Sequence, residues 1–112
     1  MNDDDIKIVK LVNGEELICE VKGRSSEGIN IRKIMQIMYT KIGSAAMFPY
    51  LSYCVFDELF LKESSILFVL DIDENKIINI TTKEGEEQKN IKDQYKFLWS
   101  SIDSAENNIV LQ

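Results

Sequence analysis

LVNGEELICEV (Leu11–Val21) is the stretch of this sequence that decides the fold. The Asn-Gly pair at its centre is typical of a tight hairpin turn, because both residue types tolerate positive φ. After the pair, Leu17, Cys19 and Val21 alternate with residues that point the other way, Ile18 among them. This period of two predicts a strand with one buried face.

The residues on either side extend this hairpin. Ile6–Val12 (IKIVKLV) is apolar on both faces, which predicts a strand packed against a further element, either a helix or a neighbouring subunit. After the polar break Lys22–Gly28, the run Ile29–Tyr39 predicts a long strand whose alternation slips between Ile31 and Ile34. Such a slip predicts a bulge or a sharp bend. A helix over the same run is the alternative.

The middle of the chain predicts a second hairpin. Thr40–Met47 is typical of a loop, and the aromatic stretch Phe48–Phe56 contains the only proline, Pro49, which marks an irregular or edge position. Glu58–Leu61 and Ile66–Ile72 then form two apolar strands around a short polar turn.

The last third predicts a helix. Glu74–Gln88 is compatible with a short extra strand around Ile77–Thr81 or with a loop, and Gly85 ends the segment in either case. Apolar residues then recur with helical spacing, which predicts an amphipathic helix from about residue 87 to residue 102. The stripe consists of Ile91, Tyr95, Leu98 and Ile102. We expect this helix to pack on its own sheet or on a neighbouring subunit.

Composition narrows the functional classes. The 112 residues predict one domain, residues 1–112, and the net charge of −6 argues against a nucleic-acid surface spread over the whole molecule. Any polyanion site must therefore be local. The chain has no histidine, the commonest general base and metal ligand, so we expect no enzyme and no cofactor.

Other motifs do not point to a metal or a membrane. Cys19 and Cys54 lie far apart, so neither a zinc site nor a redox dithiol is indicated. Asp71–Asn75 matches the first ligand positions of a calcium loop, but Lys76 and Thr82 replace its glycine and its bidentate glutamate. The acidic N-terminus and the absence of an apolar run of roughly 20 residues predict a cytoplasmic protein without a membrane segment.

Three segments of the chain resemble the Sm-like (LSm) family. They are VKLVNGEELICEV (Val9–Val21), INI (Ile29–Ile31) and LKESSI (Leu61–Ile66). The stretch Phe48–Asp71 is most similar to small Sm-like proteins of marine phages, for which the compartment would be the host cytoplasm. The resemblance implies a mainly β fold, a strongly bent five-stranded antiparallel barrel with a C-terminal helix. The barrel would cover about residues 6–72, followed by an extension and the helix over about 73–112.

The resemblance also implies a homo-oligomeric ring that binds single-stranded RNA. Sm proteins stack a base between an aromatic residue and an arginine, while an asparagine reads its edge. Asn30 matches that asparagine, but Gly28 stands at the aromatic position and Lys62 at the arginine position. Ser26 and Glu63 also depart from the family pattern, replacing its Asp and its Gly. The RNA-binding residues implied here are Asn30, Arg32, Lys33, Lys62 and Ser64.

Two hypotheses of function follow. The first is a non-catalytic Sm-like ring that binds RNA, with a small basic cluster repeated around the ring axis. The second is a ring-forming scaffold without a nucleic-acid role, which recruits a protein partner through its acidic surface and helix. An accessory subunit of an enzyme is a third alternative. The first two differ in whether Arg24, Arg32, Lys33 and Lys62 converge on one face.

Overall fold

The computed structural model describes residues 3–110, with the side chains of residues 3–102, so residues 1, 2, 111 and 112 of the predicted domain lie outside the described part. In this part, one sheet of eight strands precedes one α-helix, and two single-turn 3₁₀ helices lie at Asp3–Asp5 and Glu63–Ser65. The elements are β1 (Ile6–Leu11), β2 (Glu16–Arg24), β3 (Gly28–Lys41), β4 (Ser44–Pro49), β5 (Glu58–Lys62), β6 (Ile66–Asp71), β7 (Ile78–Thr82), β8 (Gly85–Lys89) and α1 (Ile91–Val110).

The strand order is β6-β1-β2-β3-β4-β7-β8, and β5 pairs with β3 beside this path. Every ladder is antiparallel except the short one between β4 and β7. The prediction of a mainly β fold with a C-terminal helix is confirmed. The sheet is nevertheless open and has eight strands, where five strands in a barrel were expected.

The opening hairpin is confirmed, but its turn differs from the expected one. Strands β1 and β2 pair from Ile6 with Glu20 to Lys10 with Glu16. Gly14 has φ +98°, whereas Asn13 does not have positive φ. The Asn13 side chain instead accepts a hydrogen bond from the Glu15 amide at 2.9 Å. The two residues therefore stabilise the turn in different ways. Gly14 adopts the positive φ, and the Asn13 side chain forms a local hydrogen bond with the backbone.

A bulge in β3 confirms the predicted slip and rules out the helical alternative. Ile18 pairs with Met35 while Glu20 pairs with Arg32, so β3 contributes one extra residue at this point. Lys33 lies in the bulge with φ +50°. One extra residue shifts the later side chains of β3 to the opposite face of the sheet.

The bulge divides the buried side chains between two hydrophobic cores. The first core takes residues of β1, β2 and the first half of β3, with partly buried side chains of β5 and β6 packed against it. Its buried members are Val9, Leu11, Leu17, Cys19, Val21, Ile29, Ile31 and Ile34. The second core lies on the other face and consists of Ile6, Ile18, Met35, Ile37, Ala45 and Tyr95.

The second core corrects the prediction that β2 has one buried face. Ile18 is fully buried although it points away from Leu17 and Cys19. The reason is α1, whose Tyr95 belongs to the second core and whose Ile91, Leu98 and Ile102 pack against it. The predicted stripe is thus confirmed, and it packs on the chain's own sheet. The apolar second face of β1 is covered by the same helix, since Ile6 and Ile8 contact this core.

The helix begins later than predicted, at Ile91. Strand β7 (Ile78–Thr82) confirms the strand alternative for Glu74–Gln88. Strand β8, which pairs with β7, was not predicted, and Gly85 opens it where an end was expected. The Asn90 side-chain oxygen accepts hydrogen bonds from the amides of Lys92 at 2.9 Å and Asp93 at 3.4 Å. Asn90 is therefore the N-cap that places the first turn of α1.

The predicted loop Thr40–Met47 was wrong. Strand β3 continues to Lys41, a turn at Gly43 with φ +83° follows, and β4 returns along β3. The buried residues at the start of β4 are Ser44, Ala45 and Ala46. These small residues have little preference for strands. Burial in a packed position, together with pairing to β3 and β7, decides their conformation. In the described part of the chain, no helix is both long and apolar enough to span a membrane.

Candidate functional site

Two turns that are distant in sequence meet at one end of the sheet. The amide of Glu63, after β5, donates a hydrogen bond to the carbonyl of Glu27, before β3, at 2.8 Å. The amide of Ser25 donates to the carbonyl of Gly28 at 2.9 Å. In the ladder between these strands, Lys62 lies opposite Gly28. The two segments that carry the resemblance are therefore neighbours in space.

Gly28 is required at its position by a close approach. A Cβ atom there would lie 2.0 Å from the carbonyl oxygen of Leu61 and 2.8 Å from Cζ of Phe60. The Phe60 ring therefore lies directly beside the backbone of Gly28. Phe60 also pairs with Asn30 in the ladder and is 49% exposed. An aromatic ring is thus present next to Asn30, supplied by β5 and not by position 28.

We call this region the Phe60 surface, defined by Gly28, Asn30, Phe60 and Lys62. Sequence reasoning missed Phe60. A signal was present, because the alternation of Glu58–Lys62 places Leu59 and Leu61 inward, against the first core, and leaves Phe60 on the outer side.

The structure separates the five predicted RNA-binding residues into two groups. Asn30, Lys62 and Ser64 are exposed and lie at the end of the sheet where the two turns meet. Arg32 lies four residues along β3 from Gly28, a distance of about 13 Å for an extended strand. Lys33 lies in the bulge, and together with Arg32 it lines a cleft next to α1. Within one protomer, Arg32 and Lys33 therefore lie apart from the turn that carries Lys62.

The charges around these residues are mixed. The Arg32 guanidinium forms an ion pair with Glu20, with Nε 3.2 Å from the carboxylate, and Glu20 is only 3% exposed. Arg32 therefore neutralises a buried carboxylate, which would be costly without a partner. Near Lys62, Glu63 is its neighbour in sequence and Glu27 is joined to that turn by a backbone bond. The Phe60 surface is amphipathic and has no strong positive charge.

Cys19 and the acids of the calcium-like segment have structural surroundings. Cys19 is buried in the first core, and burial raises the pKa of its thiol to about 12, so it is a poor nucleophile at neutral pH. Within residues 3–102, no cluster of three or more His, Cys, Asp or Glu side chains could hold a metal ion. In the calcium-like segment, Asp71 pairs with Lys7, and Asp73 accepts the amide of Asn75 at 3.0 Å.

No model of a protein family matches the chain, and no curated protein matches its sequence. The function of the chain must therefore be inferred from the geometry of the molecule and from the resemblance of its sequence to the Sm-like family.

Proposed function

We propose that this chain is a non-catalytic, Sm-like protein that assembles into a homo-oligomeric ring and binds single-stranded RNA. The arrangement of β6-β1-β2-β3-β5 around the first core carries the proposal. Five antiparallel strands that share one core are what a bent, five-stranded barrel requires. Strands β4, β7 and β8 would then be additions beyond the second half of β3.

Two strand edges support assembly. In the ladders of residues 3–110, β5 pairs only with β3 and β6 pairs only with β1, so each keeps one edge without a partner. Unpaired edges are templates for pairing with another chain. Strand β6 also exposes three large apolar side chains, which belong to Leu67, Phe68 and Leu70. Pairing of β5 in one copy with β6 in the next is a head-to-tail contact, which generates a ring when the rotation closes.

The Phe60 surface supports RNA binding. A half-exposed phenylalanine offers a face on which a base can stack, worth roughly 1–3 kcal/mol per base. The amide of Asn30 lies beside it and can both donate to and accept from a base edge. The Lys62 ammonium can contact a phosphate. A ring would repeat this weak site in every copy, and several simultaneous contacts would raise the overall affinity.

A protein-binding scaffold is the second candidate function. The net charge of −6 and the carboxylates of Glu27 and Glu63 near Lys62 favour it, because they repel a phosphate backbone. In this case the ring would recruit a protein partner. Both candidates belong in the cytoplasm, that of the host if the chain is encoded by a phage.

Size-exclusion chromatography with light scattering tests both candidates. The protein is run alone and with labelled U-rich or A-rich RNA at low salt. A discrete multiple of 12.9 kDa that carries RNA, and releases it as salt rises, would support the RNA-binding ring. A ring that leaves the RNA unbound would favour the scaffold. A monomer would contradict assembly, on which both candidates depend.

Phe60→Ala tests the site itself. We expect RNA affinity to fall about tenfold, because the stacking surface is lost. Phe97→Ala is the matched control, since Phe97 is a similarly exposed phenylalanine on α1, away from this surface. Equal affinity of the two variants would contradict stacking on Phe60.

A further inference from the structure

A cleft of about 900 Å³ lies between the bulge of β3, the segment that links β4 to β5, and α1. We call it the Trp99 cleft. Six of the residues that line it are Arg32, Lys33, Tyr50, Leu51, Phe56 and Trp99. We propose that the Trp99 cleft binds a small organic carboxylate with an aromatic or similarly bulky apolar body. The proposal is independent of RNA binding, because the Phe60 surface does not line this cleft.

Size and apolar walls favour a small-molecule ligand. The volume lies in the range of small-molecule sites, roughly 300–1,000 Å³. Tyr50 and Phe56 are partly buried and pack against the first core, whereas Trp99 and Ile102 pack against the second. The walls are therefore supported by both cores. Such walls provide a preformed apolar surface for a ring or a branched chain.

Trp99 lines the cleft and carries a buried, unsatisfied donor. Its indole Nε1 is buried and has no hydrogen-bond acceptor among the side chains and backbone of the described residues. An indole N–H can only donate. A buried donor without a partner is destabilising, and few such groups occur in folded proteins. Because Trp99 lines the cleft, a ligand bound there changes the surroundings of this donor.

The charged residues of the cleft favour an anionic acceptor. Lys33 is half-buried, and no carboxylate of the described residues lies within ion-pair distance of its ammonium, whereas Arg32, also half-buried, is paired with Glu20. Asp57 and Glu58 also line the cleft, but both are exposed. Water and salt screen exposed charges more strongly than half-buried ones. Inside the cleft, the Lys33 ammonium therefore faces a ligand with less competition.

The backbone conformation also supports a binding site at the Trp99 cleft. In residues 3–110, two non-glycine residues have positive φ, Lys33 at +50° and Leu51 at +52°, and both line the Trp99 cleft. The bulge accounts for Lys33. Leucine is disfavoured in this conformation, and backbone strain of this kind concentrates at binding sites.

The chain's only tryptophan makes the proposal directly testable. In the full-length, ¹⁵N-labelled protein, the single indole N–H signal is followed by NMR during titration with phenylacetate, phenylacetamide or phenethylamine. We expect a saturable downfield shift with phenylacetate. The dissociation constant of phenylacetamide should be about fivefold higher, because charge-assisted hydrogen bonds are stronger than neutral ones. Phenethylamine should not saturate the signal. Equal binding of phenylacetate and phenylacetamide, or no saturation by phenylacetate, would overturn the proposal.

Three variants test whether the carboxylate of phenylacetate binds at Lys33. Lys33→Gln should raise the dissociation constant of phenylacetate about fivefold, whereas Lys33→Arg keeps the charge and should change it less than about twofold. Lys83→Gln removes an exposed lysine outside the cleft and should have no effect. A loss of affinity as large for Lys83→Gln as for Lys33→Gln would contradict the proposed site. If Lys33→Gln loses its folded spectrum, the comparison of the three probes with the unmodified protein decides.

Discussion

Two apolar surfaces of the same sheet have different surroundings. The surface formed by Ile18, Met35 and Ile37 is covered by α1 and forms the second core. The outer surface of β6, with Leu67, Phe68 and Leu70, is exposed at a strand edge that has no ladder partner in the described chain.

The difference shows what an apolar pattern means in this chain. Both surfaces consist of large aliphatic or aromatic residues on strands, and the pattern alone does not distinguish them. The first lies where the hairpin β7–β8 and the Asn90 cap direct the helix back onto the sheet. The second lies on the outer strand of the sheet, where no later element of the described chain packs. A further copy of the protein is the partner that we propose for it.

Tyr95→Ala should have the largest effect on stability, because it disrupts the packing of α1 on the covered surface. Tyr95 is fully buried in the second core, and its hydroxyl donates a hydrogen bond to the carbonyl of Lys33. Removing a buried aromatic side chain should cost about 3–5 kcal/mol in the free energy of unfolding, measured by urea titration. Phe97→Ala, on the exposed side of the same helix, should cost less than about 0.5 kcal/mol. Equal costs would mean that α1 is not docked as described.

Variants of Asn90 should have a smaller effect on stability, and they test how α1 is positioned on the covered surface. Its oxygen caps α1, and its side-chain nitrogen donates to the carbonyls of Asp73, Glu74 and Lys76 at 2.9–3.2 Å. Asn90→Ala should destabilise by about 2–3 kcal/mol, because it removes the cap and these bonds. Asn90→Ser keeps a capping oxygen and should recover about 1 kcal/mol of that loss. If both variants cost the same, the cap contributes nothing and the amide bonds alone position the helix.

Phe68→Lys tests the uncovered surface. Because Phe68 is exposed, the free energy of unfolding of the protomer should change by less than about 0.5 kcal/mol. A charge on an edge strand opposes pairing with another chain, so the mass measured by light scattering should fall to that of the protomer. Ile77→Lys adds the same charge at another exposed apolar position, before β7, and should leave the assembly unchanged. An unchanged mass for Phe68→Lys would remove β6 from the proposed interface.

The pH dependence of the pair between Lys7 and Asp71 should give the smallest effect. This pair joins β1 to β6, and the hydrogen bond from Lys7 lowers the pKa of Asp71 below its ordinary value of 3.8. A depressed pKa in the folded state contributes stability above 3.8, which is lost as the pH falls through the folded pKa.

Urea titrations of the unmodified protein and Lys7→Met check this sign. The unmodified protein should be slightly more stable at neutral pH, and the difference should vanish well below pH 3.8. Lys83→Met is the control, because Lys83 has no ion pair in the described part of the chain. A difference that persists in acid would indicate that Lys7 acts through packing.

The elements with a clear period were predictable. The alternation of Leu17, Cys19 and Val21 predicted β2, the slip after Ile31 predicted the bulge, and the helical stripe from Ile91 predicted most of α1. In each case, local spacing determines which side chains share a face.

Other elements depended on contacts with distant residues. Ser44–Ala46 form a strand because they are buried and paired with both β3 and β7, not because of their own preference. Residues 85–89 carry three charged side chains and still form a strand, with Glu86 bound by Lys41 and Ser44. For the candidate site, the sequence indicated Asn30 and Lys62 but not Phe60, whose role depends on the pairing of β5 with β3.

By itself, the sequence determined the opening hairpin, the bent third strand and the amphipathic helix, because the period of apolar residues and the chemistry of turns act over a few neighbouring positions. Only the tertiary structure decided that both faces of β2 are buried, that Phe60 lies beside Gly28, and that Lys33 and Trp99 share a cleft. These features join residues far apart along the chain. Their energies come from packing and pairing, which exist only once the whole sheet and its helix are in place.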